Sequence, residues 1–237
     1  MNRNITAKMN REWFACYSDD RLAALYGEGE LDIAEVMTRR DGEWADVSEL
    51  DRRWVFSQWS AQQAPHLLRE WLARVLDGIE GEHPKTVTAL LRDPAATREQ
   101  FQLARYQADR EADAAWHEGE KTARSGERPA AYSARALSYA SRAASYAALA
   151  AAEAKTFDTR SAGKSALCAV RLALCATEDA ARAASYAAVS CEEHVVSYSA
   201  GASRSSAEEA SYVAACAIVC PPQTDRGVAK DDQAGEK

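Results

Sequence analysis

A chain of 237 residues with 29 basic and 36 acidic side chains, net charge −7, is long enough for a sizeable core. Its negative excess lies in residues 19–51, and that segment offers nucleic acid none of the basic footprint that phosphate recognition needs. Its first thirteen residues contain no apolar signal segment, and its longest uncharged run, 210–223, is too short and too alanine-rich to span a bilayer, so the six cysteines are expected as reduced thiols of a cytoplasmic protein.

Residues 1–47 read as an acidic, loop-rich cap. Between positions 19 and 51 eleven acidic residues stand against three arginines, a balance of −8 that exceeds the excess of the whole chain. Short helices are expected at 20–26 and 31–39, separated by Gly27-Glu28-Gly29. Ser48-Glu49-Leu50-Asp51 resembles a capping box and opens a helix to about Gln63, with Trp54, Val55, Phe56 and Trp59 on a wide apolar face. Pro65 ends or kinks that helix, and a second follows over 65–76, stopped by Gly78. All six tryptophans fall before Gly119, so the hairpin from Trp54 to Leu76 is expected to pack on the later alanine-rich helices. Trp54, Trp59 and Trp71 are core residues on this reading, not a cofactor box. Pro84 starts a short helix to Leu91, and Asp93-Pro94 is read as the cap and first turn of a long amphipathic helix over 95–123.

Residues 130–220 form an alanine-rich region whose propensity predicts helix nearly throughout, at 130–155, 162–176, 178–200 and 206–219. Thr177 and Ser206 are read as N-caps and Gly201 as a break. Tyr132, Tyr139 and Tyr146 repeat every seven residues, with Arg135 and Arg142 between them, so guanidinium and phenol planes can stack along one helix. Around this wheel one face is small and apolar, the opposite face is Ser/Arg, and the tyrosines mark the border. The word Arg-Ala-Ala-Ser-Tyr recurs at 142–146 and 182–186, and two copies predict a bundle and not a solenoid. The helix at 163–175 is apolar nearly all round and is expected to be central. Pro221-Pro222 ends the fold, and 221–237 is expected as a disordered tail. The fold class is therefore all-α: a multi-helix bundle of tightly packed alanine-rich helices with a small N-terminal cap, divided as 1–47, 48–129, 130–220 and 221–237.

Three constellations invite chemistry, and each has a plainer reading. The run from Asp158 to Ser165 ends in Gly163-Lys164-Ser165 like a phosphate-binding loop, but an acid occupies the position of the first glycine and no strand precedes it. Cys191 and His194 stand one turn apart and could join Cys216 and Cys220 around zinc, yet no CxxC knuckle accompanies them. His66, His83 and His117 are scattered and read as surface residues. The expectation is an enzyme-free chain without cofactor or metal.

Trp54-x4-Trp59-Ser-Ala-Gln-Gln-Ala, His83-Pro84, the Ala96-Thr97-Arg98-Glu99-Gln100-Phe101 run and the later Ala-Ala-Arg-Ala-Ala words together resemble the alanine-rich helical proteins of bacterial prophages and polymorphic-toxin loci, including the Imm5-like immunity family. The resemblance covers about residues 54–215 and implies an all-α protein that binds and inhibits another protein, with no catalytic residues to carry over. The function expected is a non-enzymatic protein-binding inhibitor from a phage or mobile element, for toxin immunity or anti-defence. The alternative is a phage structural or assembly protein that oligomerises through Ala/Tyr helix faces. The partner is expected to be a protein with a basic surface, with no direct nucleic-acid contact and no membrane, and a homo-oligomer is the other reading. Candidate partner residues are Glu28, Glu30, Asp32 and Glu35 in the acidic cap, and Tyr132, Arg135, Tyr139, Arg142 and Tyr146 on the ladder.

Overall fold

The computed structural model describes residues 2–13, 17–154, 159–188 and 193–220; of positions 188, 193–195, 197 and 198 only the backbone is described. The expected tail, Asp158, and the Cys191–His194 pair lie outside these residues or their described side chains.

The cap begins with β1 (Asn4–Thr6) and α1 (Ala7–Glu12), continues through α2 (Asp19–Tyr26), and closes with β2 (Glu30–Asp32) and α3 (Ile33–Thr38). The two strands are antiparallel, with Ile5 opposite Leu31. This small sheet replaces the start of the helix expected at 31–39. Asp32 adopts an extended backbone, φ −65° and ψ 142°, and its carboxylate accepts from the Ala34 amide at 2.7 Å. Because Asp32 serves as the N-cap, the helix begins at Ile33, two residues later than expected, and residues 30–32 pair as a strand.

A 3-10 turn at Gly42–Trp44 leads to α4 (Glu49–Gln63), where the Ser48 hydroxyl accepts from the Asp51 amide as expected. Then come α5 (Pro65–Asp77) and α6 (Glu82–Arg92), the latter starting two residues before Pro84. The long α7 (Arg98–Arg124) is not capped by Asp93. Thr97 and Gln100 form the full reciprocal capping box, while Asp93 Oδ1 accepts from the Ala95 amide and closes only a turn.

The alanine-rich half holds three helices where four were expected: α8 (Arg128–Glu153), α9 (Thr159–Ala188) and α10 (Glu193–Val219). Thr177 lies inside α9, its hydroxyl donating to the Ala173 carbonyl at 3.1 Å, and α10 runs through Gly201 and Ser206. A cap signal is worth about 1 kcal/mol, and propagating a helix through it is favoured where flanking alanines are buried on both sides of the position. Ala173, Leu174, Ala176 and Ala183 are so buried.

One hydrophobic cluster runs from Ile5 in the cap to Val219 in α10, with Phe56, Trp59, Trp71 and Phe101 completely enclosed. As expected, α9 is central, packing on α4, α5, α8 and α10, and the tryptophan hairpin meets it. The Trp71 indole also donates to the Ser211 carbonyl at 3.0 Å, and Phe56 meets Trp71 edge-on at 5.2 Å. The serine side of α8 differs from expectation. It is not a solvent face: α8 lies between α7 and α9, Ser138, Ser141 and Ser145 are buried, and Ser138 donates to the Ala112 carbonyl at 2.8 Å. Serine is small enough to keep the close approach and satisfies its own hydroxyl on the neighbouring helix.

Close approach also explains Gly163. A Cβ there would stand 2.6 Å from Gln58 Nε2, so a larger residue would have to displace the amide of that fully buried glutamine where α9 packs on α4. Among the described residues no helix is long and apolar enough to cross a membrane.

Candidate interaction surfaces

The four acidic candidates of the cap do not share one role. Glu28 is exposed in the turn before β2 and carries no ion pair among the described residues. Glu30, also exposed, accepts from Asn4 Nδ2 at 2.7 Å across the strand pair. Glu35 faces solvent one turn from Arg39, at 3.1 Å. Asp32 is different in kind: besides capping α3 it takes two hydrogen bonds from Arg3, at 2.8 and 2.9 Å, and these hold its carboxyl below the ordinary carboxylate range against the opposing effect of burial. Arg3 donates in turn to the Val219 carbonyl at the end of α10, at 2.9 Å. Asp32 therefore belongs to the clasp that ties the cap to the bundle.

Two arginines of the cap are likewise structural. Arg21 bridges to Glu43 and its carbonyl, and Arg40 donates to the Tyr212 hydroxyl on α10 while lying over that ring. Sequence reasoning also missed Arg52, just beyond the cap. It is fully buried at the start of α4 and donates to the carbonyls of Val36, Trp44 and Val47, stitching α3 and the 3-10 turn to the bundle. Its signal was present, since Arg52 shares a helix face with Phe56 and Trp59 at spacings of four and seven. Arg69 does the same for the end of α6, donating to Leu90, Leu91 and Asp93 carbonyls beneath Phe101.

The ladder on α8 is built as expected at its first rungs, but it faces inward. Tyr132 stacks on Tyr186 of α9 with centroids 5.4 Å apart and planes 11° from parallel. Arg135 and Arg182 lie over the Tyr132 ring at 5.3 and 5.7 Å, and Arg128 lies over Tyr186. The second copy of the repeated word, at 182–186, thus meets the first rung of the ladder, whereas Arg142 of the copy at 142–146 turns to α7. Beneath them Asp179, nearly buried, pairs with Arg135 at 3.2 Å and Arg182 at 3.6 Å, and Glu178 links Arg182 to Arg204 of α10. Burial pushes the Asp179 carboxyl up, and the two arginines oppose that rise. Tyr139 meets Trp116 of α7 edge-on at 6.2 Å, with Arg142 over the same indole and 3.2 Å from Asp113. Only Tyr146, 37% exposed, presents much of its ring to solvent.

The cap acids and the ladder are not brought together: α3 packs on α4 and α10, whereas α8 packs on α7, α9 and α6.

His83 is not a free surface residue. Its Nε2 is 3.0 Å from Glu111 Oε2, the same oxygen that accepts from the Ser141 hydroxyl at 2.9 Å. The carboxylate sits between serine and histidine, so the imidazole does not reach the hydroxyl and cannot activate it; the trio ties α6, α7 and α8 together. Gly163-Lys164-Ser165 lies within the second turn of α9, Lys164 outward and Ser165 donating to Glu153. Of the four described cysteines, Cys175 and Cys216 are half-buried and Cys168 and Cys220 are exposed. No group of three or more ligating side chains is assembled for a metal among the described residues.

Comparison with protein-family models, with curated proteins and with solved structures returns no match for this chain.

Proposed function

We propose that this protein is a non-enzymatic binder of another protein, engaging a basic surface through its acidic cap. The observation that carries the reading is the contrast between display and anchorage: Glu28, Glu30 and Glu35 are exposed, while the backbone that presents them is fixed from beneath by Arg3–Asp32–Val219, by Arg40–Tyr212 and by buried Arg52. A rigid array of like charges loses little conformational entropy on docking and accelerates encounter with a partner of opposite sign. Inhibition of a toxin or of a host defence protein, encoded by a phage or mobile element, is the particular role that suits such a binder.

Assembly through Ala/Tyr helix faces is the second reading. Its support is an open groove between α8 and α9, lined by Ala136, Ala140, Ala180 and Ala184 beside exposed Leu137, where a further helix could approach closely. The tyrosines contribute less to it, because Tyr132 and Tyr139 are engaged inside the molecule.

The experiment is capture with the full chain from extracts of its own host, together with the solution mass of the chain alone at two concentrations. A monomer that retains a basic protein supports the inhibitor; a mass that rises with concentration, with no retained partner, supports assembly and overturns it.

A further inference from the structure

Between the cap and the adjoining faces of α4 and α9 lies a cavity of about 440 Å³, within the range of small-molecule sites. Its wall is largely apolar and aromatic, with Leu22, Leu25, Val36, Trp44, Val47 and Trp54. The polar groups on that wall are few, and their state is unusual.

Arg52 is fully buried there, each of its three nitrogens donating to a backbone carbonyl, and no carboxylate pairs with it among the described residues. A buried cation whose hydrogen bonds are met but whose charge is not balanced raises the potential of the space beside it. Asn10, 2% exposed, also lines the cavity. Its Nδ2 donates to the Tyr26 hydroxyl, and its Oδ1 has no hydrogen-bond partner. Lys164 and Arg171 belong to the same lining, seven residues apart on one face of α9. Both are exposed, hence at the rim, and neither has an ion pair among the described residues. Asp51, the one acid in the described lining, already receives hydrogen bonds from the Tyr17 hydroxyl at 2.7 Å and the Ser48 hydroxyl at 2.6 Å. Three cations and one satisfied carboxylate leave the cavity net positive, around an apolar interior.

We propose that this cavity binds a small amphipathic carboxylate, its apolar tail against the leucine and tryptophan wall and its carboxylate between Lys164 and Arg171. Arg52 adds attraction from below without surrendering its carbonyls, and Asn10 Oδ1, an acceptor, would take one hydrogen bond from a ligand that carries a hydroxyl or amine along its tail. A neutral apolar molecule would fill the same wall and leave the cations uncompensated, so charge distinguishes ligand from mimic. The site is independent of the acidic face offered to a protein partner.

The test is a titration of the full chain with decanoate, below its micellar range, read by the fluorescence of Trp44 and Trp54 in the wall and by the melting temperature. Decanol serves as the uncharged comparator. Saturable quenching by decanoate with a rise in melting temperature, and at least tenfold weaker binding of decanol, is expected. Lys164→Glu/Arg171→Glu changes only exposed positions and should weaken decanoate at least tenfold with an unchanged circular dichroism spectrum. Lys164→Gln/Arg171→Gln should fall between that variant and the parent. No saturable change with decanoate, equal affinity for decanol, or undiminished binding by the glutamate variant would each overturn the proposal.

Discussion

Arg52 shows how much a single side chain can carry when it replaces water for several carbonyls at once. With the guanidinium removed, the Val36 and Val47 carbonyls lose the side-chain donor they face in a buried space, each unmet group costing about 1–3 kcal/mol, while the Trp44 carbonyl keeps the Val47 amide at 3.3 Å. Arg52→Ala is expected to lower stability by about 3 kcal/mol or more, read from the denaturant midpoint at constant slope. Arg74→Ala, which loses only an exposed pair with Glu70, should stay within about 0.5 kcal/mol. Arg52→Ala costing no more than Arg74→Ala would show that the carbonyls find other donors.

Glycines separate in the same way. At Gly163 an added methyl meets the Gln58 amide at under 3 Å, so Gly163→Ala should destabilise by about 1–3 kcal/mol, and Gln58→Ala in the same chain should return part of the loss. At Gly201 a methyl meets nothing within 4 Å, and Gly201→Ala should stabilise α10 by about 0.5–1 kcal/mol. Thermal melts of the three variants decide it; equal effects at the two glycines would mean that α9 does not approach α4 so closely.

Among the elements, what was legible in the sequence was local. The helix runs of α4, α5 and α8 follow from apolar periodicity, prolines and alanine content. The missing features are those set by distant neighbours. Nothing near Glu30 announces that Asn4–Thr6 will return to pair with it, and nothing at Thr177 or Ser206 reveals the packing that carries α9 and α10 through a good cap sequence. Thr97→Ala should therefore cost about 1 kcal/mol, and Thr177→Ala almost nothing. The reverse order, in hydrogen exchange of the first turns, would restore a break at Thr177.

The clasp of the cap has a sign in pH. Hydrogen bonds from Arg3 place the folded Asp32 carboxyl below its unfolded value, so its contribution is complete above the ordinary carboxylate range and is lost as pH falls through the depressed value. Asp179 runs the other way: its carboxyl is raised by burial, so that group favours the fold most when protonated and less as pH rises through the raised value. Acidification should thus loosen β1 and β2 before the Asp179 cluster, seen as earlier loss of amide protection at Ile5 and Leu31 than at Ala176. Asp32→Asn should abolish that acid dependence in the cap. An unchanged pH profile in the variant would remove Asp32 from the clasp.

Across the whole molecule, composition disclosed the excess acid of residues 19–51 but not how it is divided. Periodicity likewise found the tyrosines and arginines of α8, yet not that Tyr186 and Trp116 would cover them. On the proposed reading the partner meets the outward part of the cap, where Glu28, Glu30 and Glu35 can be reversed without touching Asp32. The most direct measurement is the association rate of the captured partner with the parent chain and with Glu28→Lys/Glu30→Lys/Glu35→Lys, across a range of salt. Charges on opposite surfaces are screened over about 8 Å at physiological ionic strength, so the parent rate should fall as salt rises. The triple variant should associate at least tenfold more slowly at low salt, with a flatter salt dependence and a nearly unchanged melting temperature. An unchanged rate and salt dependence in the triple variant would contradict recognition through the acidic cap.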